Sequence, residues 1–300
     1  MANVSANNVV EVDELYVKQL IPPRLARSKK GDNGVVLIVG GSKVYHGAPL
    51  LAALAAYRSG ADLVYVAVPE KISLALRAYN PSLIVLPLPD ARLTKGSVNR
   101  LKGMLPKRVD SAAIGMGLSI AKVDALKDLI MYLVEHNANS NKGSSIVLDA
   151  SALIQDVLQV VKGRRVVVTP HAGEFKRLFG YDAGASEQER IMNVMKEARQ
   201  YNITVLLKGW VDVISDGSRV ATNRMHTCAM TVGGTGDILS GLLAGLLAKG
   251  MEPFDAAVSS AYINGSAGIN AYNRLGLHIM PTDMIDEIAY VMKRYDKIIQ

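Results

Sequence analysis

The chain has 300 residues, 49% of them apolar and 20% charged, so it can bury a sizeable core without disulfide or metal staples, and disorder is excluded outside its ends. Its single cysteine, Cys228, excludes an internal disulfide, and the polar start from Met1 to Glu11 lacks the pattern of a signal peptide. The formal charge of +7 suits a polyanionic ligand. The basic residues are scattered, however, and the densest group (Arg24, Arg27, Lys29, Lys30) has no interleaved aromatics, which argues against nucleic acid and for a small phosphorylated ligand.

In chain order, short β-branched runs alternate with helix-length segments. Strands are expected at Val35 to Val39, Leu63 to Val68, Leu83 to Leu86, Ser145 to Leu148, Val166 to Thr169 and Ile203 to Leu207. Helices are expected at Pro49 to Ser59, Lys122 to His136 and Ser186 to Tyr201, the last with Glu187 and Glu189 in its first turn. Val211 to Ser215 and Arg219 to Thr222, joined by Asp216-Gly217-Ser218, read as a hairpin. The C-terminal third reads as three helices: Gly236 to Lys249, Pro253 to Tyr272 and Thr282 to Tyr295. No linker interrupts this pattern, and Asn137 to Ser145 reads as a surface loop. The fold class is therefore α/β: a mostly parallel sheet with helices on both faces, in one domain over residues 1–300, of which 1–28 form an N-terminal extension. No apolar stretch reaches the length of a membrane span, and a cytoplasmic location is expected.

The strongest chemical signal is Thr231-Val232-Gly233-Gly234-Thr235-Gly236-Asp237, ahead of a long apolar helix. Glycines let backbone N–H groups approach a ligand, and free N–H groups at a helix start favour an anion. Asp237 has two readings here. It is either the helix N-cap or a base that takes a proton from a hydroxyl attacking a bound phosphate. No Lys-Ser/Thr pair follows, so this is not a Walker loop. A second Gly-rich turn, Val39-Gly40-Gly41-Ser42-Lys43, follows the first strand and also favours an anion or a close-packed ligand, although tight βα turns use glycine for geometry alone. Thr169-Pro170-His171-Ala172-Gly173-Glu174 ends a strand where open α/β sheets place ligands. His171 reads there as a ligand contact, and Glu174 as a site residue or a first-turn helix carboxylate. Lys208 and Asp149 also end strands, with Lys208 expected near a phosphate. His46, His136, His226 and His278 show no metal-ligand spacing and are expected to be structural, as are Met225 and Met230. Gly241 and Gly245 are expected to permit close helix packing.

Taken in order, several stretches resemble the ADP/ATP-dependent NAD(P)H-hydrate dehydratase family of the ribokinase-like superfamily. They are Lys30-Gly31-Asp32-Asn33-Gly34, Val39 to Ser42, Ser59-Gly60-Ala61-Asp62-Leu63-Val64, Asp149-Ala150-Ser151-Ala152-Leu153, Thr169 to Glu174, Leu207-Lys208-Gly209 and Gly233 to Asp237. The resemblance implies a ribokinase-like three-layer α/β/α fold and a metabolite-repair lyase. Such an enzyme dehydrates hydrated NADH or NADPH by phosphorylating the ring hydroxyl and eliminating phosphate. It implies ADP or ATP as co-substrate; Mg²⁺ is the expected ion on the chemistry of phosphates. By position, Asp237 would be the base, with Gly233, Gly234, Thr235 and Gly236 holding the transferring phosphate. Lys208, Gly209, Trp210, Val211, Asp212 and Gly236 would line the nucleotide site, and Ala48, Gly117, His171 and Asp237 the hydrate site. Three departures stand out. Gly115-Met116-Gly117-Leu118-Ser119 replaces the family's usual Gly-Pro-Gly-Leu-Gly, Ala172 stands in for a proline, and Trp210 is bulky for its stretch.

The roughly 30 residues before the first strand are too few for a companion epimerase domain. The competing readings are a small-molecule kinase of the hydroxyethylthiazole or hydroxymethylpyrimidine type and a non-catalytic nucleotide sensor. Small-molecule substrates, no nucleic acid or membrane, and a homo-oligomeric assembly complete the expectations.

Overall fold

The computed structural model describes residues 9–136 and 143–300. Its strands in chain order are β1 (Val9–Glu11), β2 (Arg24–Leu25), β3 (Val35–Val39), β4 (Leu63–Pro69), β5 (Ile84–Leu88), β6 (Ser111–Ile114), β7 (Ser145–Leu148), β8 (Val166–Val168), β9 (Thr204–Leu207), β10 (Asp212–Ser215), β11 (Val220–Asn223) and β12 (Ile298–Ile299). The α-helices are α1 (Glu14–Leu20), α2 (Gly47–Arg58), α3 (Glu70–Tyr79), α4 (Lys95–Lys102), α5 (Val123–Glu135), α6 (Leu158–Val161), α7 (Ala172–Phe179), α8 (Glu187–Tyr201), α9 (Thr235–Ala248), α10 (Pro253–Leu275) and α11 (Pro281–Lys293).

Ten strands form one sheet in the order β1-β11-β10-β9-β8-β7-β6-β3-β4-β5. Every neighbouring pair is parallel except the two that involve β10, so β10 alone runs against the rest. Strands buried on both faces need apolar side chains throughout, and β3 shows the division of labour. Val36 and Ile38 join a core shared with α1, α2, α3, α9, α10 and α11, while Leu37 and Val39 join a second core with α4, α5, α6, α7 and α8. The architecture is thus three-layered, α/β/α, as the alternation of runs predicts.

Most expected elements occupy their places within a residue or two, and the hairpin of β10 and β11 closes through Gly217 in the left-handed region. The N-terminal segment differs. β1 adds a parallel strand beside β11, and Val12, Val17 and Ile21 enter the core, so residues 9–28 belong to the fold rather than trailing from it. Leu83 precedes its strand, and β6, α3 and α4 lie where no element is foreseen. Of the loop expected from Asn137 to Ser145, the first part lies outside the described residues, while Ser145 itself opens β7.

Parallel strands bring their C-terminal ends to one edge. Gly40 after β3, Gly115 after β6, Asp149 after β7, Thr169 after β8 and Lys208 after β9 therefore share that edge. Lys30 to Gly34 lies at the opposite edge. There the Asp62 carboxylate accepts from the backbone N–H of Gly31 (2.9 Å) and Asn33 (3.1 Å) and closes the loop ahead of β3.

Candidate active site

Two clefts open at the C-terminal edge. The first, about 620 Å³, is lined by His171, Lys208 to Trp210, Asp212, the turn Gly233 to Gly236 and parts of α9 and α10. The second, about 600 Å³, is lined by Val44 to Ala48, Leu51, Gly117, Ala150, Ser151, Gly233, Gly234 and Asp237. Both share Gly233 and Gly234, so the glycine turn is the wall between them.

That turn is built by backbone conformation. Gly234 has φ +115°, where only glycine is unstrained, and it caps α9 without a side-chain bond. Asp237 is therefore not the N-cap. It is the third residue of the helix, in the first turn where the amide groups are free. Its carboxyl makes no hydrogen bond with the described residues. Burial pushes its pKa up to about 7, the neighbouring Asp149 and Glu174 add to the rise, and Lys208 partly offsets it.

Beneath the turn lies a buried charge cluster. Lys208 Nζ stands 2.9 Å from Asp149 Oδ1 and 3.6 Å from Glu174 Oε2. Asp149 is also held by the hydroxyls of Thr169 (2.9 Å) and Ser240 (2.8 Å). Burial alone would lower the Lys208 pKa, but Asp149, Glu174 and Asp237 outweigh it and hold the ammonium protonated. Ser240 sits one helical turn beyond Gly236 and ties the start of α9 to the end of β7. No local pattern in the sequence marks Ser240; its place follows from helix period and sheet order together.

The rest of the nucleotide stretch divides. Gly209, Trp210 and Asp212 line the first cleft with Lys208, whereas Val211 is buried and does not. Asp212 accepts from the Gly209 N–H (3.0 Å) and from Asn223 Nδ2 (3.0 Å), which fixes the loop, and burial raises its pKa to about 6 against those bonds. Ala48, Gly117 and Asp237 meet in the second cleft, but His171 lines the first. Its Nδ1 accepts from the N–H groups of Gly173 (3.0 Å) and Glu174 (3.2 Å), so it caps α7, while Glu174 Oε2 returns a bond to the His171 N–H. Glu174 is thus both a capping residue and a neighbour of Lys208.

Two histidines expected to be structural line clefts: His46 the second, and His226 the first, where its ring stands 5.0 Å from Trp210 edge-on. Met225 and Met230 face the first cleft as well as packing against α10. The Gly40-Gly41 turn lines neither of these clefts. A side chain on Gly40 would strike the Met116 carbonyl, and the Gly41 N–H donates to that same oxygen. Met116, in place of the usual proline, is thereby fully buried. Ala172 opens α7 at the first helical position, which proline suits but does not monopolise.

The model of one protein family, described as NAD(P)H-hydrate dehydratase, matches residues 36–290. The chain belongs to the NAD(P)H-hydrate dehydratase family. It is 51% identical to an ADP-dependent (S)-NAD(P)H-hydrate dehydratase of Nitrosopumilus maritimus over 94% of this chain and 96% of that protein. It is 43% identical to a bifunctional NAD(P)H-hydrate repair enzyme of Pyrobaculum aerophilum, covering 91% of this chain and 53% of that longer protein. Among solved structures, it is similar to the ADP/ATP-dependent NAD(P)H-hydrate dehydratase of Bacillus subtilis co-crystallised with ATP and Mg²⁺. That likeness has a TM-score of 0.80 and 26% identity, over 97% of this chain and all of the other. These family relations and the ribokinase-like neighbours agree with the three-layer fold.

Proposed function

We propose that this chain returns hydrated NADH and NADPH to NAD(P)H at the expense of a nucleotide, with ADP as donor. The observation that carries the reading is the shared wall: Gly233 to Asp237 faces a cleft with a partly buried lysine on one side and a cleft with Asp237 on the other. In-line phosphoryl transfer needs donor and acceptor to meet across one such wall. The donor preference rests on the named ADP dependence of the Nitrosopumilus relative.

In this reading the phosphates lie against the free amides of Thr235 and Gly236 and against Lys208, and the hydrated ring lies between Ala48, Gly117 and Asp237. Asp237 takes the proton from the ring hydroxyl as its oxygen attacks the terminal phosphoryl group. A base whose pKa is near 7 is half ready at neutral pH and gives the transfer its driving force. The phosphate then leaves with the hydroxyl oxygen, and loss of a proton from the adjacent ring carbon restores the double bond. His171 reaches the hydrate only from the nucleotide side, as a contact at the junction of the clefts.

Among the described residues no group of three or more His, Cys, Asp or Glu could hold a metal unaided. With phosphate oxygens completing its ligands, a Mg²⁺ ion would find carboxylates here and would supply positive charge against the polyphosphate. Mg²⁺ keeps several waters and takes one or two carboxylates plus phosphate oxygens, and Asp149 and Glu174, the carboxylates beside Lys208, would be the residues to hold it. Three carboxylates around one lysine would otherwise repel a polyphosphate, a repulsion that the bound ion would offset. We further propose a cytoplasmic, homo-oligomeric enzyme. No described helix is long and apolar enough to cross a membrane.

The test is an assay with hydrated NADH in which nucleotide consumption and the absorbance of reduced nicotinamide are followed together, with ADP and ATP side by side. The proposal expects both signals, faster with ADP. A small-molecule kinase would consume nucleotide only with its own alcohol, and a sensor would give neither signal.

A further inference from the structure

Three buried side-chain atoms among the described residues have no hydrogen-bond partner: Ser259 Oγ, Asn264 Oδ1 and Tyr295 OH. Of these, only Asn264 lines the cleft that holds Lys208 and Gly236. It sits in α10 and is 6% exposed. An orphaned acceptor in a protein interior is costly, and its retention in a cleft wall points to a partner that arrives from outside.

The surroundings define that partner. Besides the glycine turn, Lys208, Asp212 and Thr231, the cleft is lined by Trp210, His226, Met225, Leu239 and Ala261, a mainly aromatic and apolar set. Trp210 is 67% exposed, so its indole has free surface, and His226 against its ring limits its swing. Gly265, next to Asn264, has no side chain because the Met225 carbonyl lies where one would be. The Met225 segment therefore rests on α10 and shuts the cleft beside the amide. A ligand that fills this cleft is anionic at one end and a flat heteroaromatic at the other.

We propose that Asn264 reads the base of the nucleotide, accepting from the adenine N6 amine and donating to the adjacent ring N7, with the ring against Trp210. The inference rests on the nucleotide reading above and deepens it. A carboxamide presents an acceptor beside a donor, and the N6/N7 edge of adenine is the complementary pair. The corresponding edge of guanine offers two acceptors, which leaves Oδ1 unpaired. A site whose buried polar group stays unpaired rejects that ligand.

The test is equilibrium titration of the full chain with ADP, GDP and pyrophosphate, together with thermal melts, for the wild type, Asn264→Leu and Asn264→Asp. Leucine keeps the number and branching of the side-chain heavy atoms, though it is bulkier, and removes the orphaned acceptor, so the ligand-free melting temperature should not fall by the loss of a hydrogen bond. ADP affinity should drop about tenfold in that variant, the worth of one or two hydrogen bonds, while GDP and pyrophosphate hold. Aspartate keeps the shape but presents acceptors only, and should also weaken ADP selectively. ADP binding within twofold of wild type in both variants overturns the proposal, as does a parallel loss of pyrophosphate, which would mark a structural role. Wild-type protein that binds pyrophosphate but not ADP defeats the base-reading assignment alone. Wild-type protein that binds neither defeats the nucleotide site itself.

Discussion

A carboxylate next to a turn that holds phosphate repels its ligand unless it handles a proton, and in the proposed site Asp237, at the third position of α9, would be so placed. Because Gly234 occupies the cap, Asp237→Asn removes no capping bond, and the fold should survive. Turnover should fall about 10²–10⁴-fold in that variant, since an amide cannot accept the hydroxyl proton. The sign of the pH dependence follows from the raised pKa. In the folded chain the carboxyl titrates at about 7, in the unfolded chain at ~3.9, so the native state holds the proton more tightly. The resulting stabilisation is full below about pH 4 and lost as pH rises through 7. Melting curves of the ligand-free protein should therefore fall from pH 4 to pH 8 relative to the Asn variant, while kcat/KM of the wild type climbs toward a plateau above about pH 7. Parallel melting profiles for the two proteins would show that Asp237 is not perturbed. The glycine turn, Lys208 and Asp237 were legible in the sequence because each is a chemically unusual residue at a strand or helix end. Asn264 and Ser240 were not, since an asparagine or serine inside an apolar helix looks like any other until the sheet places it over a cleft.

Within the α9–α2 pair, packing sets the position of the glycine turn. A methyl on Gly241 would meet the backbone carbonyl of Ala52, and one on Gly245 would meet the Ser59 hydroxyl, so the helices touch backbone to backbone. Alanine normally favours a helix over glycine by about 1 kcal/mol. Here the sign should reverse: Gly241→Ala is expected to destabilise by about 1–3 kcal/mol through overpacking, read as a lowered melting temperature, and to reduce turnover by tilting the start of α9. A rise in melting temperature would show that the two helices have slack. Long elements, such as α8 with its capped first turn and the largely apolar α9 and α10, were readable along with most central strands. Two of the missing strands failed to stand out for separate reasons. β6, Ser-Ala-Ala-Ile, has too little β-branched character to stand out, and β1 is three residues whose strand identity comes entirely from its pairing with β11.

At the scale of the molecule, the chain carries a surplus of seven positive charges, and the proposed ligands are polyanions. Long-range attraction of this kind is screened within about 8 Å at physiological salt. The KM for ADP should accordingly rise between low and moderate ionic strength while kcat stays nearly constant. A KM indifferent to salt would show that the charge excess serves solubility alone. The parallel sheet explains why residues as distant in sequence as Ala48, Asp149, Lys208 and Asp237 converge: each follows a strand or opens a helix at the same edge. What sequence order could not supply was the division into two clefts. Gly40 and Gly41, by pattern a site for an anion or a close-packed ligand, lie against Met116, and His171 lines the first cleft rather than the second.

The pairing of β1 with β11, and of β2 with β12, bears on how the chain is made. Residues 9–11 and 24–25 leave the ribosome early, yet their hydrogen-bonding partners lie at 220–222 and 298–299. During synthesis at about 5–20 residues per second, those edges stay open for tens of seconds, exposed to other nascent chains. Contacts so remote in sequence are slow to close, and the last strand to arrive ties down Arg24 and Leu25. Newborn chains should therefore pass through a period of chaperone dependence that ends only when Ile298 and Ile299 have emerged.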